Sequence, residues 1–185
     1  MTTPPLGDGR LVLEPLRVDH AGEMVDVLSD AGLYAFTGGS PPSREELERR
    51  YAGQVAGPDR ADEVWHNWVV RLGAGGPAVG YVQATLGPHD GVSELAWVVG
   101  TPWQGRGIAR DAARLVLDRL PSLGVRRVLA HVHPDHVASQ RVAASLGLRP
   151  TPVVVDGEVE WRLEDLSAGG AGQPAEGADG TTGGW

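Results

Sequence analysis

The chain has 185 residues, of which 41% are hydrophobic, and this suits a single globular domain long enough to bury a core. It contains no cysteine, which excludes disulfides, thiolate metal ligands and cysteine nucleophiles. The formal net charge of −8 opposes nucleic-acid binding and favours a cationic or amine-bearing small molecule. Because no apolar run approaches the roughly 18 residues that span a bilayer and no secretory leader pattern is present, we expect a cytoplasmic protein without a membrane partner.

The first hundred residues predict strands and two helices. Helical spacing predicts helices at 19–28 and 43–55, with Asp19 capping the first and a capping box of Ser43 and Glu46 starting the second. Alternating apolar residues predict strands at 10–17, 63–72, 78–86 and 93–99.

The remaining residues predict two more helices and three more strands. Gly147 is expected to end the last helix, and Asp156-Gly157 to form a hairpin turn between the last two strands. We therefore expect one mixed α/β domain over residues 1–166, and a disordered Gly/Ala-rich tail at 167–185. The helices are predicted at 107–120 and 135–147, and the strands at 126–133, 151–156 and 158–164.

The string "HVHPDH" at 131–136 resembles the zinc-binding HxHxDH string of metallo-β-lactamase-type hydrolases. Such sites complete the metal sphere with ligands from later loops, and no histidine follows His136. We therefore expect no metal site. His131 and His133 point to one face of the predicted strand and are better interpreted as residues of a cleft.

A glycine-rich turn between the strand at 93–99 and the following helix is the stronger signal. Glycines there let an anion approach the backbone, and the N–H groups at a helix start favour a pyrophosphate. A Walker A loop is excluded because the chain has no lysine, and a Rossmann fingerprint would need glycine in place of Arg110. The converging N–H groups belong to Gly105, Arg106, Gly107, Ile108 and Ala109, with Arg106 and Arg110 adding positive charge.

The segment Gln104–Ala109 resembles the Q/R-x-x-G-x-G/A signature of the GNAT acetyltransferases. Residues 134–151 resemble the second conserved segment of that family, and the opening at 10–24 resembles the branch with ribosomal-protein N-terminal and antibiotic acetyltransferases. The resemblance covers about residues 10–165. It implies the acyl-CoA N-acyltransferase fold: a single mixed, mostly antiparallel twisted sheet of about seven strands, with a splay between the fourth and fifth, flanked by about four helices.

The same resemblance implies acetyl-CoA as co-substrate and a set of residues that bind it. A bulge in the strand at 93–99 is expected, with the Val98 N–H facing the thioester carbonyl. His136 stands where the family usually has an asparagine that contacts the pantetheine arm, and Ala143 replaces a common catalytic tyrosine. The implied cofactor-binding residues are Trp97, Val98, Val99, Gln104, Gly105, Arg106, Gly107, Ile108, Ala109, Arg110, His136 and Ser139.

Catalysis of amine acetylation needs a base and a partner for the leaving thiolate. Glu94 is our candidate base, acting through a water, and Ser139 is the candidate thiolate partner, while His131 and His133 are alternative bases. The residues expected to bind the acceptor are Tyr34, Phe36, His131, His133 and Trp161.

The predicted function is direct transfer of an acetyl group from acetyl-CoA to a primary amine. The acceptor is a small molecule, such as an antibiotic or a metabolite, or a peptide N-terminus, and the protein is expected to be a monomer or homodimer. The alternative is an acyl-CoA-binding regulatory module without catalysis, because two common family residues are replaced.

Overall fold

The computed structural model describes residues 3–87 and 91–166, so the predicted tail at 167–185 lies outside the described residues. The described residues form one eight-stranded sheet and four α-helices, which confirms the predicted mixed sheet and adds one strand to the expected seven. The strands are β1 (Leu6–Gly7), β2 (Leu11–Pro15), β3 (Val64–Leu72), β4 (Ala78–Leu86), β5 (Val92–Val99), β6 (Arg127–Val132), β7 (Arg149–Val155) and β8 (Glu158–Leu163). The helices are α1 (Ala21–Val27), α2 (Arg44–Ala56), α3 (Ile108–Arg119) and α4 (Val137–Ser145).

The sheet consists of two antiparallel blocks joined by one parallel pair of strands. Its order is β1-β2-β3-β4-β5-β6-β8-β7, and among the strands of the described residues only β5 and β6 run parallel. A parallel pair needs a crossover connection, and α3 supplies it. The N-terminal block is therefore β1 to β5, and the C-terminal block is β6, β8 and β7.

The two blocks separate soon after they meet. The ladder between β5 and β6 has its last pair at Glu94 and Leu129, although β5 continues to Val99 and β6 to Val132. This divergence is the expected splay, and we refer to the space between the two strands as the gap. The ladder between β4 and β5 is regular from Ser93 to Val99, so the bulge expected in β5 is not found there. The strands part only on the β6 side.

The helices cover the two faces of the sheet unequally. Because side chains alternate along a strand, Leu95 and Val128 face the main core with α3 and α4, while Val69 faces a second core with α1 and α2. Helices α1 and α2 pack on β3 and β4 and leave Glu94 and Ala96 of β5 exposed. We call this uncovered part of the second face, formed by β5, β6 and β8, the open face.

The local signals for helix ends were mostly correct. Ser43 and Glu46 form the expected reciprocal capping box of α2, and Gly147, with φ of 93°, follows the end of α4. Asp19 was wrongly predicted as a helix cap: it lies in a 3-10 turn at 18–20, and α1 begins only at Ala21. In the described ranges, no helix combines the length and the apolar character needed to cross a bilayer.

Candidate active site

The turn between β5 and α3 is shaped to hold an anion. Gly105 and Gly107 have φ of 73° and 75°, and Gly107 is the N-cap of α3 in the left-handed conformation. The turn is fixed at its start by the Gln104 side-chain amide, which donates to the Val99 carbonyl oxygen at 2.9 Å. Residues with side chains rarely adopt such φ values, which accounts for glycine at both positions.

The first N–H groups of α3 have no acceptor within the helix and can donate to a ligand. Gly107 offers no side chain as a cap, and the Asp111 N–H is the donor that reaches back to the Gly107 carbonyl oxygen, at 3.0 Å. The preceding N–H groups of the first turn point out of the helix, where the helix dipole favours negative charge. The predicted pyrophosphate cradle from Gly105 to Ala109 therefore has the necessary donors.

The two arginines of this turn differ in their surroundings. Arg106 is exposed, whereas the Arg110 guanidinium donates to Asp111 at 2.7 Å and lies close to Gly107. Asp111 also forms an ion pair with Arg10 of the chain's first segment. The carboxylate in the first turn of α3 is thus neutralised by two arginines, and its negative charge does not oppose an anion at the helix start.

The backbone of β5 presents donors to the gap, although not the one expected. The Gly100 N–H donates to the Val79 carbonyl oxygen of the β4 side at 2.9 Å, and the ladder before it has no register shift. Since alternate residues of a strand point their N–H groups the same way, the Val98 N–H also faces β4. The N–H groups of Trp97 and Val99 face the gap instead.

Glu94 and His131 meet across the narrow end of the gap, on the open face. The His131 Nδ1 atom lies 2.9 Å from Glu94 Oε1, with side-chain exposures of 19% and 50%. The pair is placed by the register, because Glu94 is the last residue of β5 to pair with β6 and His131 lies two residues beyond its partner. A carboxylate beside an imidazole can orient the ring and stabilise its protonated form.

Polar residues continue on both sides of this pair. Thr85 of β4 lies opposite Glu94 and accepts a hydrogen bond from the Gln83 amide at 3.2 Å. On the other side Glu160 of β8 lies opposite His131, and its Oε1 atom accepts a hydrogen bond from the Arg162 guanidinium at 2.5 Å. A polar row therefore crosses the open face on β5, β6 and β8 and continues onto β4.

The other two histidines of the "HVHPDH" string lie apart from this pair. β6 ends at Val132, so His133 follows the strand, and His136 is the N-cap of α4. The Phe36 ring stacks on the His136 ring with 4.5 Å between ring centroids. It is tilted against the His133 ring, with 5.3 Å between centroids. Burial lowers the pKa of His136, and His133 lowers it further. Among the described residues no group of three potential ligands could hold a metal ion.

Ser139 lies in the first turn of α4, one turn after His136, and is half-buried. Phe36 packs on His136, the residue that precedes this turn. The α1–α2 connection thus reaches the start of α4 through one aromatic side chain.

Two residues predicted to bind the acceptor are engaged elsewhere. The Tyr34 hydroxyl donates to the Leu28 carbonyl oxygen at 2.9 Å, and burial raises its pKa. Trp161 lies opposite Ala130 and packs on the main core, on the other face of the sheet from His131. These contacts favour packing roles for both residues.

A cavity on the second face was missed by the sequence analysis. It lies between α2, the end of α1 and strands β3 and β4, and its lining residue Tyr81 pairs with Val98 of β5. Tyr51 occurs in α2 four residues after Leu47, a spacing that indicates a core position and gives no sign of a cavity. Its lining residues include Leu28, Arg50, Tyr51, Asn67, Tyr81 and Gln83.

A gap along one edge of a strand, ending at an anion-binding turn, is the arrangement of acyl-CoA-dependent N-acyltransferases. The sequence profile of the Acetyltransferase (GNAT) domain matches residues 10–149, and the chain belongs to this family. It is accordingly an acyltransferase with acetyl-CoA as its co-substrate. No curated protein matches the chain significantly.

Several solved structures share the fold. Mycobacterium smegmatis RimJ in complex with CoA-disulfide has 20% identity and a TM-score of 0.70, over 88% of this chain and 87% of that one. A putative ribosomal-protein-serine acetyltransferase from Vibrio cholerae has 20% identity and a TM-score of 0.69, over 89% and 99%. Aminoglycoside acetyltransferase AAC(6')-Ib in complex with coenzyme A has 16% identity and a TM-score of 0.68, over 83% and 94%. At these identities the similarity establishes the fold.

Proposed function

We propose that this protein is an N-acetyltransferase that moves the acetyl group of acetyl-CoA directly to a primary amine. The acceptor is a small molecule or a peptide N-terminus. The observation that carries the proposal is the contact between Glu94 and His131 at 2.9 Å, at the narrow end of the gap and on the open face. An acceptor that enters from the open face reaches this pair without displacing either core.

In the proposed reaction the amine nitrogen attacks the thioester carbonyl carbon. A C–N bond forms, the C–S bond breaks, the amine gives up one proton, and the departing sulfur takes up one proton. His131 is the proposed proton acceptor. With Nδ1–H donating to Glu94, the Nε2 lone pair is left for the amine, and Glu94 serves as a positioning residue.

The remaining residues bind and orient the co-substrate. The N–H groups from Gly105 to Ala109, with Arg106 and Arg110, are proposed to hold the pyrophosphate, while those of Trp97 and Val99 hold the pantetheine arm. The Val98 side chain, His136 and Phe36 line the passage toward the acceptor. Ser139 is proposed to donate a hydrogen bond to the departing thiolate.

The test is release of free CoA thiol from acetyl-CoA in the presence of amines of different classes: an aminoglycoside, a short peptide with a free N-terminus, and simple alkylamines. His131→Asn should reduce kcat by about 100-fold or more and leave the calorimetric Kd for acetyl-CoA within about twofold. Arg60→Gln, in an exposed ion pair with Asp62, is the matched surface control.

Tight binding of acetyl-CoA without thiol release for any amine would contradict an enzyme. It would instead support the binding module. Unchanged turnover in His131→Asn would remove the histidine from the mechanism.

A further inference from the structure

The cavity beside α2 lies on the same side of the sheet as the Glu94–His131 pair. Tyr81 and Gln83 of β4 line it, and they pair with Val98 and Ala96 of β5. Gln83 donates to Thr85, whose strand partner is Glu94. The cavity and the proposed reacting centre are therefore joined by a continuous strip of side chains on β4 and β5.

The lining of the cavity includes neutral hydrogen-bonding groups. The Tyr51 side chain is only 4% exposed, and its hydroxyl has no hydrogen-bond partner among the described residues. Asn67 is 8% exposed and pairs in register with Gln83. A buried hydroxyl without a partner costs about 1–3 kcal/mol, so a ligand group that bonds to it gains this energy.

The charge of the cavity selects against a cation. Arg50 is the one ionisable group with a permanent charge among its described lining residues, and the lining contains no carboxylate. Burial raises the pKa of Tyr51 and of Tyr81, which keeps both phenols neutral. An ammonium group among these residues would meet the exposed Arg50 and no carboxylate of the described lining, whereas a neutral oxygen would meet hydrogen-bond donors.

The distance from the reacting centre fixes the length of the ligand. The row of residues through Asn67 of β3 meets β5 at Ala96, two residues from Glu94. Since neighbouring strands are about 4.8 Å apart and residues rise about 3.3 Å along a strand, the span to Glu94 is about 12 Å. A chain of about five carbons between the amine and a polar end group bridges such a distance.

We propose that the cavity beside α2 binds the non-reacting end of the acceptor, and that this end is a hydroxyl or carboxamide rather than a second cationic group. The inference rests on the proposed function, since it names the acceptor class of the same site. The acceptors would be primary amines with a neutral polar group about five carbons away, and polyamines and aminoglycosides would be poor substrates.

The test is a matched series of amines of equal length: 5-aminopentan-1-ol, 5-aminopentanamide, hexylamine and 1,5-diaminopentane. We expect kcat/KM for the alcohol and the amide to exceed that for hexylamine and the diamine by about tenfold, the effect of one satisfied buried hydrogen bond. Tyr51→Phe should remove most of this advantage, and Arg50→Met should raise kcat/KM for the diamine. Arg49→Met, the exposed neighbour on α2, is the control and should leave the order of the four amines unchanged.

A second measurement does not depend on turnover. Ligand-observed NMR with CoA present should show N-(5-hydroxypentyl)acetamide binding more tightly than N-hexylacetamide, and Tyr51→Phe should equalise them. Thiol release from all four amines at similar kcat/KM, or preferred binding of the hexyl compound, would overturn the cavity's proposed role. No release from any amine, combined with preferred binding of the hydroxypentyl compound, would overturn the proposed function and leave the cavity's preference supported.

Discussion

The imidazole of His131 and the carboxylate of Glu94 meet at 2.9 Å between strands that have just stopped pairing. The two residues are 37 positions apart in the sequence, and only the parallel crossover through α3 brings them together. One more pair in the β5–β6 ladder would hold the strands together where the gap now begins. The site therefore depends on where the ladder ends as much as on the two side chains.

Glu94→Gln should separate a positioning role of Glu94 from a role as the base. The amide can still accept from Nδ1–H and hold the ring, but it removes the negative charge that would stabilise the imidazolium formed during proton transfer. We expect kcat to fall about 10- to 100-fold while the calorimetric Kd for acetyl-CoA stays within about twofold. A loss in Glu94→Gln as large as or larger than the loss in His131→Asn would assign the base to Glu94.

Gly107→Ala should weaken acetyl-CoA binding. A side chain at φ of 75° costs roughly 1–2 kcal/mol, and the new methyl group would stand beside Arg110 at the start of α3. We expect the calorimetric Kd for acetyl-CoA to rise about tenfold or more.

Gly124→Ala is the matched control for this substitution. Gly124 has φ of 82° and lies in the connection between α3 and β6, with open space around its Cβ position. It carries the same backbone strain away from the cradle. An equal loss of binding in both variants would show that strain alone, and not the cradle, is responsible.

Gly80→Ala should displace β5. A Cβ atom at Gly80 would stand 2.2 Å from the Val98 carbonyl oxygen and 3.0 Å from the Val99 Cα atom, so the strand must move. We expect a loss of about 2 kcal/mol in the free energy of unfolding, measured in urea, together with a raised Kd for acetyl-CoA. Gly87, which directly follows β4, has open space at its Cβ position, so Gly87→Ala should change neither quantity. A Gly80→Ala variant as stable as the unsubstituted protein would disprove the close approach.

The stability of the fold should fall as the pH drops below about 6.5. Burial lowers the pKa of His20 and of His66, so the unfolded state binds more protons than the folded state in this range. The stabilisation from the neutral rings is complete above the unfolded pKa and is lost as the pH falls toward the folded values. Urea unfolding at pH 7.5 and pH 5.5 should show the decrease, and His20→Gln should make the pH dependence shallower. A flat profile would contradict neutral burial of these rings.

Arg71 should contribute strongly to stability because it links three elements. Its side chain is 9% exposed and donates to Glu14 of β2 at 2.6 Å and to Glu23 of α1 at 2.7 Å. It also donates to the Gly76 carbonyl oxygen at 3.0 Å. Arg71→Met should lower the free energy of unfolding by about 2–3 kcal/mol, whereas Arg60→Met, in an exposed pair, should change it by less than about 0.5 kcal/mol.

The features predicted correctly from the sequence are those that depend on neighbouring residues. The capping box at Ser43 and the glycine turn before α3 follow from local backbone chemistry, and the order of the elements follows from hydrophobic periodicity. The Asp19 prediction failed because His20, not an Asp19 oxygen, bonds the N–H of Arg17 and places a 3-10 turn before α1.

The features that were missed depend on how distant strands line up. Trp161 looked like a residue of the cleft, and only its register opposite Ala130 places it on the main core. Tyr51 follows Leu47 at a helical spacing typical of core positions, and only the packing of α2 over β3 and β4 leaves its hydroxyl beside a cavity. A shift of one residue in register reverses the face on which a side chain lies, and sequence periodicity does not set the register between strands.

Because the β5–β6 ladder is short, bound co-substrate should stabilise the association of the two halves of the sheet. In the described ranges, three residue pairs form the β5–β6 ladder that joins the two halves of the sheet, so these two strands can separate locally while each half retains its own internal hydrogen bonds. A molecule lying along the exposed edge of β5 behaves as a substitute strand between them. Saturating acetyl-CoA should therefore slow amide hydrogen exchange in β5 and β6 together. Such joint protection would show that a ligand in the gap stabilises the association of the two halves.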